Sequence, residues 1–456
     1  MGQYELQRQL NSRQITFMAL GAAIGVGLFL GSGKAIKLAG PSILFAYLIV
    51  SAMIFIVMRA LGEMAIDQPV SGSFSTYANE YINPFAGYLT GWNYWIMMVI
   101  AGIAEITAIG IYMKLWYPDV PQWIWALASV VMIGAINLAT VKVYGELGFW
   151  FTLIKVVTIL LIIGGGLSMI FLGWGNNGVP VYISNLWQHG GIFPNGLSGM
   201  LLSLPIVICA FCGVESVGIA AGEATDPKHT IPKAIKSVLW RVLFFYIGVL
   251  FVMLSIHPWN QIGAEGSPFV SIFEKLGISK AAGFINFVVI TAALSTFNSV
   301  TFSSGRMLRT LALQKHAPQF FSTINANGVP LRAIVTSLIF LMIGVGLNYL
   351  VPEKLFGWLV SLLSFNAIWT WTMVLLAHYR FRKRHLHHQT TASFPMPAWP
   401  FLSWLGLAFL ILIIAVMASA PETRLSLSIG LLSLLVLSGA YKLWVGNDAI
   451  SEVEHD

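Results

Sequence analysis

Apolar stretches of about twenty residues, each long enough to cross a bilayer core of about 30 Å, recur from one end of this sequence to the other. No other feature constrains the fold as strongly. Inside hydrocarbon every backbone N–H and C=O must be bonded internally, so long continuous apolar stretches read as a bundle of membrane helices. Twelve spans are expected, roughly at 15–38, 42–66, 86–114, 121–140, 147–172, 195–221, 236–256, 281–311, 331–350, 355–379, 399–418 and 424–445. The composition agrees: 57% of the 456 residues are hydrophobic and 9% are charged, too few charges to coat a soluble protein of this length. No large soluble domain fits between the spans. The first span runs straight into the second, so no cleavable signal sequence is expected.

The basic residues set the orientation. With residues 1–14 in the cytoplasm, 17 of the 25 Lys and Arg fall on the inner side, including the run "RFRKR" from Arg380 to Arg384. Seven fall outside, and Lys155 lies within a span. Both termini are therefore expected in the cytoplasm, the second as a tail over 446–456. The net charge of +7 is an orientation signal and needs no nucleic-acid partner. The outer loop 173–196 carries Trp, Tyr and Phe suited to a membrane interface. "RFRKRHLHHQ" (380–389) reads as a solvated loop in preference to a metal tract.

Two spans are broken by glycine. "GAAIGVGLFLGSGK" (21–34) holds five glycines in fourteen residues. Four-residue glycine spacing also lets membrane helices approach closely. A dinucleotide fingerprint is excluded, because no strand precedes the motif. Five spans later, "CAFCGVESVGIAAGEA" (209–224) combines Gly213, Gly218 and Gly222 with Glu215 near mid-membrane. Interrupted helices at matching positions of two halves point to a transporter binding site. Spans 1–5 (15–172) and 6–10 (195–379) would then form an inverted repeat, with spans 11 and 12 (399–445) appended. A helix that stops in the membrane leaves N–H groups and carbonyls unbonded. An α-amino acid completes both. Its carboxylate suits the N–H groups of Gly25, Val26 and Gly27. Its ammonium suits carbonyls around Ala22, Ala23, Phe211 and Cys212, and Ile24 and Gly213 complete the expected substrate-binding set.

Ionisable residues inside spans are functional candidates by default. Lys155 stands in the apolar run "FTLIKVVTIL", about 13 Å along a helix from Glu146. Snorkelling would be incomplete there. Glu215 lies beside Gly213 and is a candidate to meet a substrate ammonium or a proton. Glu105 shares a helix face with Gly102 and Ile109; it either contacts a substrate side chain or makes a structural hydrogen bond. Glu223, nearer the inner end, reads as a gate or structural residue paired with a loop Lys or Arg. Arg59 and Glu63, four apart, read as an intrahelical pair. Ser295, Thr296, Asn298 and Ser299 form a polar patch in span 8. Cys209 and Cys212 spell CxxC but read as small apolar residues lining span 6, with no sign of the exposure or extra ligands that redox or metal chemistry needs. No cofactor, metal or nucleotide site is expected: there is no HExxH, GxSxG or GxxxxGK[ST]. A channel would need a continuous polar pore, whereas these polar groups cluster at mid-depth.

"ALGAAIGVGLFLGSG", "AGPSILFAYL", "MRALGEMA" (58–65), "GSFSTYA" (72–78), "VKVYGELGFW" (141–150), "GVESVGIAAGEATDP" (213–227) and "NSVTFSSGRML" (298–308) occur in order. Together they resemble the bacterial amino acid permeases of the amino acid–polyamine–organocation superfamily, over essentially the whole chain. Within that superfamily it looks like the proline-, threonine- and histidine-type permeases. The resemblance implies an all-α, leucine-transporter-like fold that imports amino acids with protons, or exchanges them. It implies that Lys155 carries the coupling proton or replaces a structural cation beside the first break. It further implies roles for Glu215 in binding and coupling, for Glu105 beside the substrate side chain, for Phe211 as a gate, and for Ser295 and Asn298 beside Lys155.

Overall fold

The structure is a computed structural model that describes residues 15–16, 21, 24–138, 141–174, 176–262, 279–325, 328–387 and 394–453. The described residues form helices and connecting turns, with no strand among them. In chain order the principal helices are α1 (Val26–Phe29), α2 (Gly31–Ala39), α3 (Ile43–Asp67), α4 (Ser73–Tyr81), α5 (Pro84–Met113), α6 (Gln122–Leu138), α7 (Val141–Leu172) and α8 (Gly196–Ala210). They continue with α9 (Ser216–Ala220), α10 (Pro227–Ile256), α11 (Ser279–Leu313), α12 (Leu331–Leu350), α13 (Pro352–His387), α14 (Phe401–Ser419) and α15 (Pro421–Val453).

Local chemistry explains several boundaries. Asn83 caps α5 by accepting the Ala86 N–H at 2.8 Å, and Pro84 follows where no N–H is needed. Asp226 and Pro227 open α10 in the same way, with His229 N–H donating to the Asp226 carboxylate. Among the described residues, nine helical stretches are long and apolar enough to cross a membrane. The sequence leads one to expect twelve. The difference lies partly at the two breaks. The first span is split at Ile24 and Gly25, and the stretch after it, Gly31–Asp67, runs through a single-turn link into α3. The sixth span is split between α8 and α9. Residues 139–140, at the end of the expected fourth span, lie outside the described residues, and α6 reaches 17 residues. Apolar side chains on α14 and α15, such as Ile411, Leu435 and Leu443, are more than half exposed, which suits lipid and not water.

The interior holds α1, α8, α5 and α11 packed together, with α13 across them. It buries charge as well as hydrocarbon. Glu63 does not form the expected ion pair with Arg59. Its carboxylate takes His378 Nε2 at 2.9 Å, the Met396 N–H at 2.8 Å and, more loosely, Arg382 Nε at 3.3 Å. Arg59 instead donates to Pro395 O at 2.8 Å and lies over the Phe394 ring. A segment more than 300 residues away in sequence thus takes both partners, because a buried carboxylate needs several donors and one neighbouring arginine supplies too few.

Candidate functional site

The two breaks meet at the centre of the bundle. Ile24 and Gly25 leave the helical path before α1, and Phe211 to Glu215 form consecutive turns between α8 and α9. Gly213 adopts φ +100°, a conformation that side chains rarely tolerate. A Cβ built on Gly27 would lie 2.8 Å from Ala210 Cα, so only glycine lets the two broken segments cross this closely. One on Gly25 would lie 2.6 Å from Glu105 Oε1 and 3.0 Å from Thr296 Oγ1.

Lys155 closes the carbonyl side of the first break. Its ammonium is fully buried and donates to Gly21 O at 2.7 Å and Ile24 O at 2.9 Å. Thr296 Oγ1 bonds the same Gly21 carbonyl at 3.0 Å. α7 and α11 therefore supply from the side the donors that a continuous helix would supply from its next turn. Ser295 lies just behind, 3.5 Å from Thr152, and Asn298 accepts from Asn137 Nδ2 at 2.8 Å. Neither lines the central cavity, whereas Thr296 does. Ala22 and Ala23 lie outside the described residues. Among the described residues Val26 opens α1, and the first N–H groups of a helix have no carbonyl one turn earlier to bond.

Beside the breaks lies a cavity of about 40 Å³. Gly25 and Gly27 line it from the first break, and Cys209, Ala210, Cys212 and Gly213 from the second. α5 contributes Met98, Ala101, Ala104 and Glu105; α11 contributes Thr296 and Val300; α13 contributes Phe356, Val360 and Leu363. The structure brings Glu105 and the Gly25–Gly27 backbone to one place. Glu215 is not among the lining residues. Its carboxylate folds back to accept the Gly213 N–H at 3.1 Å and Trp371 Nε1 at 3.4 Å, so it braces the second break against α13. Phe211 also turns away, packing on Tyr47 and Tyr246, with ring centroids 5.9 and 5.1 Å distant.

Phe356 and Val360 also line a second space, a vestibule of about 510 Å³ that includes Lys34, Lys114, Gln122 and Glu353. These two side chains separate the vestibule from the cavity. A buried ion pair stands on the other side, among the described residues. Arg306 Nε donates to Glu223 Oε1 at 2.8 Å, both side chains are 2% exposed, and the guanidinium lies 3.4 Å over the Phe302 ring. The expected partner of Glu223 was a loop residue; it is a residue of α11. Gly218 and Gly222 press directly on Ser73 and Ser71 beside this pair.

Sequence reasoning missed Phe356, Val360, Arg306 and Trp371. Phe356, Val360 and Trp371 signal nothing by residue type, since apolar and aromatic residues fill all these spans, and Arg306 lies two turns before the end of α11, where an arginine reads as an orientation signal. A small cavity at the meeting of two broken membrane helices, screened from a vestibule by two side chains, has the layout of a carrier-type membrane protein. The comparisons name its family. The family model for amino acid permeases matches residues 14–449. Over 438 residues the chain is 53% identical to the uncharacterized amino acid permease YtnA of Bacillus subtilis, covering 96% of this chain and 95% of that protein. It is 47% identical over 447 residues to that organism's "probable threonine/serine transporter YbxG", covering 98% and 97%. It is 44% identical over 441 residues to its amino-acid permease AapA, covering 97% and 96%. The chain belongs to the amino acid permease family, and is a multi-pass membrane protein.

Proposed function

We propose that this permease is a secondary transporter that accumulates a small neutral or polar amino acid with protons, by alternating access. Threonine and serine are the first candidates, ahead of proline and histidine. In this reading the chain has twelve spans, 15–172 and 195–379 form the two inverted halves, 399–445 adds two helices, and both termini lie in the cytoplasm of a bacterial inner membrane. The structure would then face outward, with the Glu223–Arg306 end as the closed cytoplasmic gate.

The single observation that carries the coupling is Lys155: a buried ammonium bonded to two carbonyls of the very break that borders the cavity. Loss of its proton turns two charge-assisted hydrogen bonds to the break into weaker neutral ones, so the lysine's protonation and the shape of the break are linked. The Gly25–Gly27 backbone would take the substrate carboxylate. Small lining residues, Ala101, Ala104 and Ala210, favour a short side chain, with Glu105 placed to read a hydroxyl or ring nitrogen. The threonine/serine description of YbxG supports the substrate choice.

The test is Lys155→Ala in proteoliposomes. Gradient-driven accumulation should vanish while exchange between internal and external substrate persists in part. Full accumulation by the variant would remove Lys155 from the coupling mechanism.

A further inference from the structure

Cys209 and Cys212 are the chain's only cysteines, and both line the central cavity. Their backbone geometry is fixed by a short turn: the Cys212 N–H donates to Cys209 O at 3.1 Å. A turn closed between residues i and i+3 holds its two Cα atoms within about 7 Å. A disulfide needs about 4.4–6.8 Å between the same atoms. Both residues line one space, and Cys212 Sγ is held only by weak contacts to Ile208 O at 3.7 Å and Leu363 O at 3.9 Å, which a rotation about its Cα–Cβ bond would release. The turn sits where α8 ends and the break begins, directly before Gly213 with its positive φ.

We propose that Cys209 and Cys212 form a thiol-modification site inside the transport cavity, and that small oxidants reaching the cavity when Phe356 and Val360 move aside close it into a disulfide that locks the hinge of the broken helix. The inhibitory consequence rests on the transport reading; the pairing does not. In the reaction two S–H bonds are lost and one S–S bond forms. Two electrons and two protons leave the sulfurs. An azodicarboxamide oxidant such as diamide accepts both and becomes the hydrazine. The first thiolate attacks the azo nitrogen, and the second then displaces that adduct from sulfur. The closed ring spans residues 209–212 and fixes the backbone torsions at the boundary between α8 and the break. A transporter whose two halves of this helix must reorient about that boundary would stall in the oxidised form.

Purified protein is treated with diamide, then denatured and counted for thiols with a maleimide of known mass. The count should fall from two to none on the monomer, and dithiothreitol should restore both. Uptake by the same protein in proteoliposomes should be lost and regained in parallel. Cys209→Ser and Cys212→Ser should each retain one thiol, and the uptake each shows before diamide should be unchanged by it; Cys→Ala forms serve if either serine variant fails to fold. Millimolar substrate should slow the oxidation by filling the cavity. Two thiols still labelled after oxidation, or covalent dimers in place of monomers, would overturn the pairing. A complete loss of thiols with uptake unchanged would overturn the lock. Absence of any uptake before oxidation would count against the transport reading and leave the thiol count as the test of the pairing.

Discussion

Replacing Glu223 by Gln removes one charge from a pair shielded from water on both sides. In the wild type Arg306 Nε reaches Glu223 Oε1 at 2.8 Å, and each side chain is 2% exposed. Glu223 follows α9 and Arg306 belongs to α11, so the bond ties the second broken helix to a helix that lines the cavity. In Glu223→Gln the guanidinium stays buried against Phe302 and faces only a neutral amide. Leaving one member of a buried pair uncompensated costs about 3–5 kcal/mol. That cost falls on the conformation closed at this end, because opening admits water to Arg306. At about 1.4 kcal/mol per factor of ten, the closed state loses roughly a hundredfold to a few thousandfold against the open one. The assay uses a reporter cysteine at Ser71, which touches Gly222, in a background lacking Cys209 and Cys212. An impermeant maleimide is added to inside-out vesicles. Labelling should accelerate in Glu223→Gln and return toward the parent rate in Glu223→Gln with Arg306→Gln, which leaves no lone charge. Unchanged labelling in the single variant, or equal acceleration in the double, would refute the gate.

Three further outcomes follow from the site. Gly27→Ala places a methyl group against Ala210 Cα, which is backbone and cannot yield as a side chain would; uptake should be abolished while circular dichroism shows retained helix. Phe356→Ala removes the ring between vestibule and cavity; substrate dissociation toward the outside should quicken, raising KM more than it lowers the maximal rate. Glu105→Gln keeps the shape of the side chain beside Gly25 but removes its charge; the ranking of competing amino acids in an uptake assay should change, and an unaltered ranking would take Glu105 out of selectivity.

The breaks were readable in the sequence because glycine clusters and a lone lysine have no ordinary place inside a membrane span. Lys155 stands out against Phe, Leu, Ile and Val, and the structure places it on the first break. Register and long-range packing were not readable. Ser295 and Thr296 are adjacent and chemically alike, yet one turns toward Thr152 and the other into the cavity, a difference of about 100° around the helix that depends on how α11 is rotated. Glu215 had every sequence mark of a cavity residue. A positive φ at Gly213 exposes an N–H two residues before it, and the carboxylate bends back to that donor. Arg59 and Glu63 have ideal intrahelical spacing, but the distant 394–396 segment and α13 offer better donors and acceptors.

In the reading proposed above, a proton gradient drives amino acid accumulation through this cavity. The most direct measurement is uptake of a panel of radiolabelled amino acids into proteoliposomes with and without an inward proton gradient. Concentrative uptake of threonine or serine is expected only when the gradient is present, and it should collapse when a protonophore is added. Uptake seen only into vesicles preloaded with amino acid, and indifferent to the gradient, would contradict it and make the protein an exchanger in which Lys155 serves as a fixed structural cation.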